Sequence, residues 1–257
     1  MPKLQIIGCS SGMPEEEAAN SSYLVSFKNK LYLFDCGEGT SSALIRNKIN
    51  YKRIENVFIS HGHPDHIIGL PVLIQMNHLA GRTSPLDIYL PQELVKPLNK
   101  MLLATYLIPD KLSFEWRLHA LKPNPVFRED DFAVNAFPNS HLLGNESIIK
   151  SLNLYNKMQS YSFTIATAKT KMVYSGDLSN SQDLDDLLDN ADLLLTEGFH
   201  VDLKRIFNIV KLYDVENLIL THLPSSYQKK RKSITKMAKN TGVNNLHFAE
   251  EGQIHKY

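Results

Sequence analysis

The sequence predicts an α/β fold built in layers: two β-sheets packed face to face, with helices on the outside. Three observations support it. Short β-branched and aromatic runs form two groups along the chain, bounded by Gly, Asn and Ser. Apolar residues recur at helical spacing between and after those runs. The residues best suited to chemistry stand directly after the runs, at the strand ends where α/β folds place their sites.

In the first group the expected strands are Leu4–Ile7, Tyr23–Phe27, Leu31–Phe34 and Val57–Ile59. Asn29 marks a hairpin turn between the second and third. A helix is expected over Thr40–Lys48, with Thr40 as its N-cap. Another runs from near His66 towards His78, and its Pro71 falls early, where a missing N–H is tolerated. Residues 91–125 fit neither group. An apolar helical stretch (Leu94, Leu98, Met101, Leu102) leads into loops at Pro109, Pro123 and Pro125, and reads as an elaboration near one edge. The second group holds Phe132–Phe137, Tyr161–Ala166, Met172–Tyr174, Leu193–Leu195, Leu218–Leu220 and Leu246–Phe248. Leu203, Ile206, Phe207 and Val210 recur at i, i+3, i+4, i+7 behind the capping residue Asp202. Leu184, Leu187 and Leu188 repeat the pattern on a shorter helix. Ser226–Asn240 reads as a helix ended by Gly242.

The chain has 257 residues, enough to bury a core without staples, and no Pro/Gly/Ser-rich linker. The length permits one large domain or two small ones, and a single domain over 1–257 is the expectation. Lys and Arg number 28 against 27 Asp and Glu, so bulk charge does not direct the chain to nucleic acid. Two cysteines, Cys9 and Cys36, are too few for a disulfide scaffold or a Cys-based zinc site and read as buried thiols. No secretory h-region opens the chain, and its longest apolar stretch falls short of the ~18 residues that span a bilayer. A cytoplasmic protein without a membrane partner is expected.

Ten histidines are present, and three of them fall within six residues: His61-Gly62-His63-Pro64-Asp65-His66, directly after a strand. In an extended segment residues two apart point the same way, so His61 and His63 converge. Imidazole and carboxylate donors without sulfur suit Zn²⁺, Mn²⁺ or Fe. Four such side chains exceed the needs of one tetrahedral ion with an open position, which points to two metals. Downstream, His141, Asp177 and His222 each follow an expected strand.

These residues resemble the metallo-β-lactamase superfamily. Its H-x-H-x-D-H motif stands here as His61, His63, Asp65 and His66, and its later ligand positions match His141, Asp177 and His222 in order. The resemblance implies an αββα sandwich of two mixed sheets flanked by helices, with a binuclear centre. In it His61, His63 and His141 hold one metal, Asp65, His66 and His222 the other, and Asp177 bridges them. The ribonuclease Z-like branch is similar in further segments: Ile6–Pro14, Leu33–Thr40, Ile67–Pro71 and Thr221–Tyr227. That branch carries a histidine some 22 residues before the last ligand, which protonates the leaving group. His200 matches it, although Val201-Asp202 replaces the usual Ser-Thr. Two departures bear on substrate. The long Gly- and Pro-rich arm with which ribonuclease Z commonly clamps tRNA has no counterpart between His141 and Asp177, and Gly-Asp-Leu stands where Gly-Asp-Thr is more usual.

The resemblance implies a metal-dependent hydrolase, first of all a phosphodiesterase that uses a binuclear metal-activated hydroxide on a small or cyclic phosphodiester or on RNA. The alternatives are a 3′ tRNA-processing endoribonuclease, and a sulfate-ester or lactone hydrolase on the same centre. Two divalent ions are expected, zinc first, with Mn or Fe as alternatives. Asp65 and His200 are the catalytic candidates: Asp65 orients or deprotonates the nucleophile and His200 protonates the leaving oxygen. Asp35 is expected to hydrogen-bond a ligand histidine, and Glu197 to orient the His200 ring. The basic run Lys229–Lys232 reads as a solvated helix face, with an RNA backbone contact as the alternative. A homodimer is implied by resemblance, with the apolar stretch 91–108 as either its contact or core.

Overall fold

A computed structural model describes residues 1–123 and 125–257. In chain order the elements are β1 (Lys3–Ser10), β2 (Ala19–Asn20), β3 (Ser22–Phe27), β4 (Lys30–Phe34), α1 (Thr40–Arg46), β5 (Ile54–Phe58), α2 (Pro64–Ile67), α3 (Leu70–Leu79), β6 (Leu86–Leu90), α4 (Gln92–Ala104), β7 (Trp116–Ala120), β8 (Phe127–Glu129), β9 (Phe132–Pro138), α5 (Glu146–Ser151), β10 (Tyr161–Ala166), β11 (Lys171–Tyr174), β12 (Leu193–Glu197), α6 (Leu203–Leu212), β13 (Asn217–Thr221), α7 (Arg231–Asn240), β14 (Leu246–Phe248) and β15 (Ile254–Lys256). They divide into an N-terminal unit, Pro2–Leu121 with Glu250–Lys256, and a C-terminal unit, Lys122–Ala249 with the two terminal residues.

The N-terminal sheet runs β15-β1-β3-β4-β5-β6-β7, with β2 beside β1. Its pairs are antiparallel from β15 to β4 and parallel from β4 to β7. The C-terminal sheet runs β8 to β14 in chain order, antiparallel as far as β11 and parallel from there on. Both sheets are mixed and flanked by helices, the fold class predicted. Parallel neighbours need crossover connections; α1, α2 with α3, and α4 supply them in one unit, α6 and α7 in the other. Paired strand residues Leu33, Val57 and Ile88 pack with Ala43, Leu73, Ile74 and Leu98 to form the first core. Val173, Leu194 and Leu218 pack with Ile206, Phe207, Val210 and Ile234 to form the second.

Several expectations change in detail. The Lys28-Asn29 turn holds both residues at positive φ (45° and 67°), the twist a two-residue hairpin loop requires. Helix α1 starts at Thr40, but its N-cap is Gly39, and the Thr40 hydroxyl donates back to the Gly37 carbonyl (2.8 Å). The helix expected from His66 to His78 is broken at Gly69, whose N–H donates to the Cys36 carbonyl (2.9 Å). A Cβ there would collide with the Gly37 carbonyl, so only glycine permits this approach. Leu187 and Leu188 are core residues outside any helix: Ser181–Leu184 makes a single 3₁₀ turn, and Asp186 at φ 66° breaks the pattern. Ser225–Lys230 is 3₁₀ and the α-helix begins only at Arg231. The expected elaboration near one edge proves to include the edge strand itself: α4 connects parallel strands β6 and β7, β7 closes the sheet, and Leu98 and Leu102 enter the core. Among the described residues no helix is long and apolar enough to cross a membrane.

Candidate metal centre

In the N-terminal unit the histidine motif starts three residues after β5. His63 keeps an extended backbone (φ −67°, ψ 144°), and Pro64 opens α2 with no N–H left to satisfy. That short helix turns His66 back, with its N–H on the His63 carbonyl (3.0 Å). The His61 ring centroid then lies 4.6 Å from that of His63 and 4.1 Å from that of His66. His66 Nε2 is 3.6 Å from Asp65 Oδ2.

Asp35, fully buried one residue after β4, organises this group. It holds φ 56°, a left-handed conformation that Asp tolerates better than most residues. Its Oδ1 accepts the Ser60 N–H (2.7 Å) and its Oδ2 the Ser60 hydroxyl (2.8 Å). Oδ2 also meets His66 Nδ1 at 2.7 Å. A carboxylate only accepts, so His66 carries its proton on Nδ1. The Ser60 hydroxyl has spent its single proton on Asp35, so its oxygen accepts from His61 Nδ1 (2.9 Å). Both imidazoles are thereby locked with Nε2 as the lone-pair nitrogen, the form a metal requires. Asp35 makes the expected hydrogen bond to a histidine of the motif. Ser60 was not singled out by the sequence; its only signal was a hydroxyl between the strand and the first histidine.

In the C-terminal unit His141 follows β9. Its N–H donates to Asn139 Oδ1 (3.2 Å), and its carbonyl accepts from the Ser179 hydroxyl (3.1 Å). Asp177 leaves β11 through Gly176 at φ 58°, and His222 leaves β13 at φ 56°. Asp177 Oδ2 lies 3.3 Å from His222 Nε2, 3.7 Å from His141 Nε2 and 3.9 Å from His200 Nδ1. Asp177, His200 and His222 each offer a donor atom within 4.8 Å of the others'. The unusual Leu178 after Asp177 is buried in the apolar core.

Glu197 departs from the role expected of it. Its Oε2 accepts the backbone N–H groups of Phe199 (2.6 Å) and His200 (2.9 Å), while the His200 ring stays 3.6 Å away. It fixes the turn that carries the imidazole. Asp202, one of the two residues replacing the usual Ser-Thr, caps α6 by accepting the Lys204 N–H (2.9 Å). Burial pushes the Cys36 thiol up to about 12, so it stays neutral and inert; Cys9 is only half-buried.

The donor set fits divalent metal ions: imidazoles that present Nε2, carboxylates, and no sulfur.

Residues 2–242 match the family described as Anti-Pycsar protein Apyc1. The chain belongs to that family. Its fold is the metallo-β-lactamase fold. The metallo-β-lactamase fold protein YhfI from Bacillus subtilis superposes with a TM-score of 0.79 at 23% identity, over 99% of this chain and 98% of that one. Human tRNase Z, short form, superposes with 0.72 at 23% identity, over 99% and 98%. Ribonuclease Z of Methanococcus maripaludis (strain C6) is 36% identical over 139 residues. That match covers 54% of this family member and 45% of the relative, so the chain spans less than half of that curated relative's length.

Proposed function

We propose that the chain is a single-domain, metal-dependent phosphodiesterase of the ribonuclease Z-like type that acts on a small or cyclic phosphodiester. The observation that carries the reading is the Asp35–Ser60 network, which commits His61 and His66 to the tautomer that binds metal. His61, His63, Asp65, His66, His141, Asp177 and His222 are the proposed ligands. Two zinc ions, a homodimer and a cytoplasmic location belong to the same reading and rest on donor chemistry and resemblance. A metal pair held by these residues would supply Lewis acidity and a water that ionises near neutral pH. Asp65 accepts a proton from, and orients, the attacking oxygen. Asp177 supplies negative charge among three imidazoles, and His200, partly exposed, donates a proton to the leaving oxygen.

The preference for a small substrate rests on the interval between His141 and Asp177. It is filled by α5, β10 and β11, with no long arm in it. The curated relative is named a ribonuclease Z, which makes RNA the second substrate to test. Protein loaded with Zn²⁺ or Mn²⁺ is assayed on a 3′,5′-cyclic nucleotide, a chromogenic diester and a 3′-extended precursor tRNA. Turnover of the first two, lost in Asp65→Ala, is the expected result. Cleavage of the tRNA alone at one 3′ position reassigns the chain to tRNA processing, and turnover of none moves the search to sulfate esters and lactones.

A further inference from the structure

We propose that Phe199 and Tyr227 form a stacking platform for the nucleobase of the substrate, an inference that rests on the phosphodiesterase reading. Phe199 is 46% exposed, and among the described residues it is the one phenylalanine so open to solvent. Its ring centroid lies 4.9 Å from that of His200, at 63°, and 6.4 Å from that of Tyr227, at 82°. Lys230 Nζ sits 4.6 Å from the Tyr227 ring centroid. None of these contacts is a face-to-face stack. The His200 ring is in turn 5.4 Å from His141 and 5.7 Å from His222. The aromatic pair therefore starts one ring away from the imidazoles around Asp177, and a phosphodiester held there carries its nucleoside within reach of it.

The way Phe199 is held points to a ligand. Glu197, buried, spends one carboxylate oxygen on the N–H groups of Phe199 and His200, and Gly198 N–H donates to the Thr221 carbonyl (3.1 Å). The two Oε2 bonds fix the backbone that holds an apolar ring in water. The start of α6 does not need that ring. Val201 precedes the Asp202 cap and packs in the same core cluster as Ile206, which is the pairing of a hydrophobic staple. The clamp that positions the His200 imidazole thus also holds the Phe199 ring, open to solvent, beside it. Every nucleobase has a π-face, so such a platform tolerates different bases, and Lys230 adds a cation beside it.

The test measures kcat and KM for wild type, Phe199→Ala, Phe199→Leu and Phe199→Trp on a 3′,5′-cyclic nucleotide and on the base-free cyclic ribose phosphate. Base–aromatic stacking is worth roughly 5- to 150-fold in affinity. Ala and Leu should raise KM for the nucleotide by that factor relative to the base-free diester, and Trp should restore it. Leu fills the space of Phe without a π-face, so the test survives an Ala variant that fails to fold. Equal effects on both substrates, or Leu behaving as wild type, overturn the platform. Quenching of 2-aminopurine riboside monophosphate fluorescence by metal-free protein, absent in Phe199→Leu, reads stacking without hydrolysis. Quenching without diester turnover supports the platform and sinks the phosphodiesterase reading. Turnover without quenching sinks the platform alone.

Discussion

The N-terminal unit places Asp35 after β4 and Ser60 after β5; the C-terminal unit places Ser175 after β11 and Glu197 at the end of β12. The backbones correspond. Asp35 N–H donates to the Phe58 carbonyl (2.8 Å) and Ser175 N–H to the Leu195 carbonyl (3.0 Å), and two residues further on stand Ser60 and Glu197. The side chains are exchanged. In one unit the carboxylate on the first strand accepts the N–H of the serine on the second (2.7 Å); in the other the serine accepts the N–H of the glutamate (3.2 Å). The exchange changes what the carboxylate controls. Asp35 reaches an imidazole nitrogen and sets its tautomer, whereas Glu197 reaches backbone N–H groups and sets the path of a turn. One backbone frame thus yields a ring-locked half and a turn-locked half.

The largest expected effect separates the two halves by function. His200→Ala should lower kcat by about 10²–10⁴ while metal content, read by elemental analysis, is retained. Loss of metal instead would make His200 a ligand and put the turn-locked half on the same footing as the other. Next comes the carboxylate pair. Asp35→Asn cannot accept from all the donors it faces and should weaken metal binding about 10–100-fold in a chelator competition. Glu197→Gln still offers an oxygen to both amides and should leave metal affinity intact. An equal loss in both variants would erase the distinction.

A smaller effect tests the packing behind the ring-locked half. The Cys36 pKa is raised from 9.0 to about 12 in the folded protein. A raised pKa means that the folded state holds the proton after the unfolded state has lost it. The contribution to stability is then whole below pH 9 and is lost between pH 9 and about 12. At pH 10 the loss is about 1.4 kcal/mol, to be read from urea midpoints of wild type against Cys36→Ala, which should lack this component. The smallest effect lies in the turn-locked half. Asp202→Ala removes the α6 cap and should cost about 1 kcal/mol, a shift of roughly 2–4 °C in Tm. A much larger shift would mean that the turn and the helix start act as one unit with Glu197.

The strands of both cores were legible because they are short apolar runs between turn residues; Tyr161–Ala166 and Leu246–Phe248 have the bounds expected. Strands β6, β7 and β8 were not, because charges interrupt them: Asp87 lies on β6, Arg117 on β7, Arg128 and Glu129 on β8. The break at Gly69 was hidden for a different reason, since the helical pattern on either side is sound and only the Cys36-Gly37 backbone, over thirty residues away in sequence, forbids a continuous helix there. In the site, Asp35 stood out by its place after a strand, and His200 only through the resemblance, 22 residues before His222. Ser60 and the grip of Glu197 on the Phe199-His200 turn did not, because an ordinary Ser or Glu at a strand end carries no spacing signal of its own.

The sequence by itself determined which side chains could hold a metal. Donor type and the two-residue spacing of His61 and His63 are properties of a short stretch, and strand ends follow from local pattern. The tertiary structure decided how those side chains are held. The bond from Asp35 to Ser60 crosses 25 residues of sequence and that to His66 crosses 31. Such bonds exist only once β4 has paired with β5, and no local preference encodes which strands pair or on which side of the pair the carboxylate will stand.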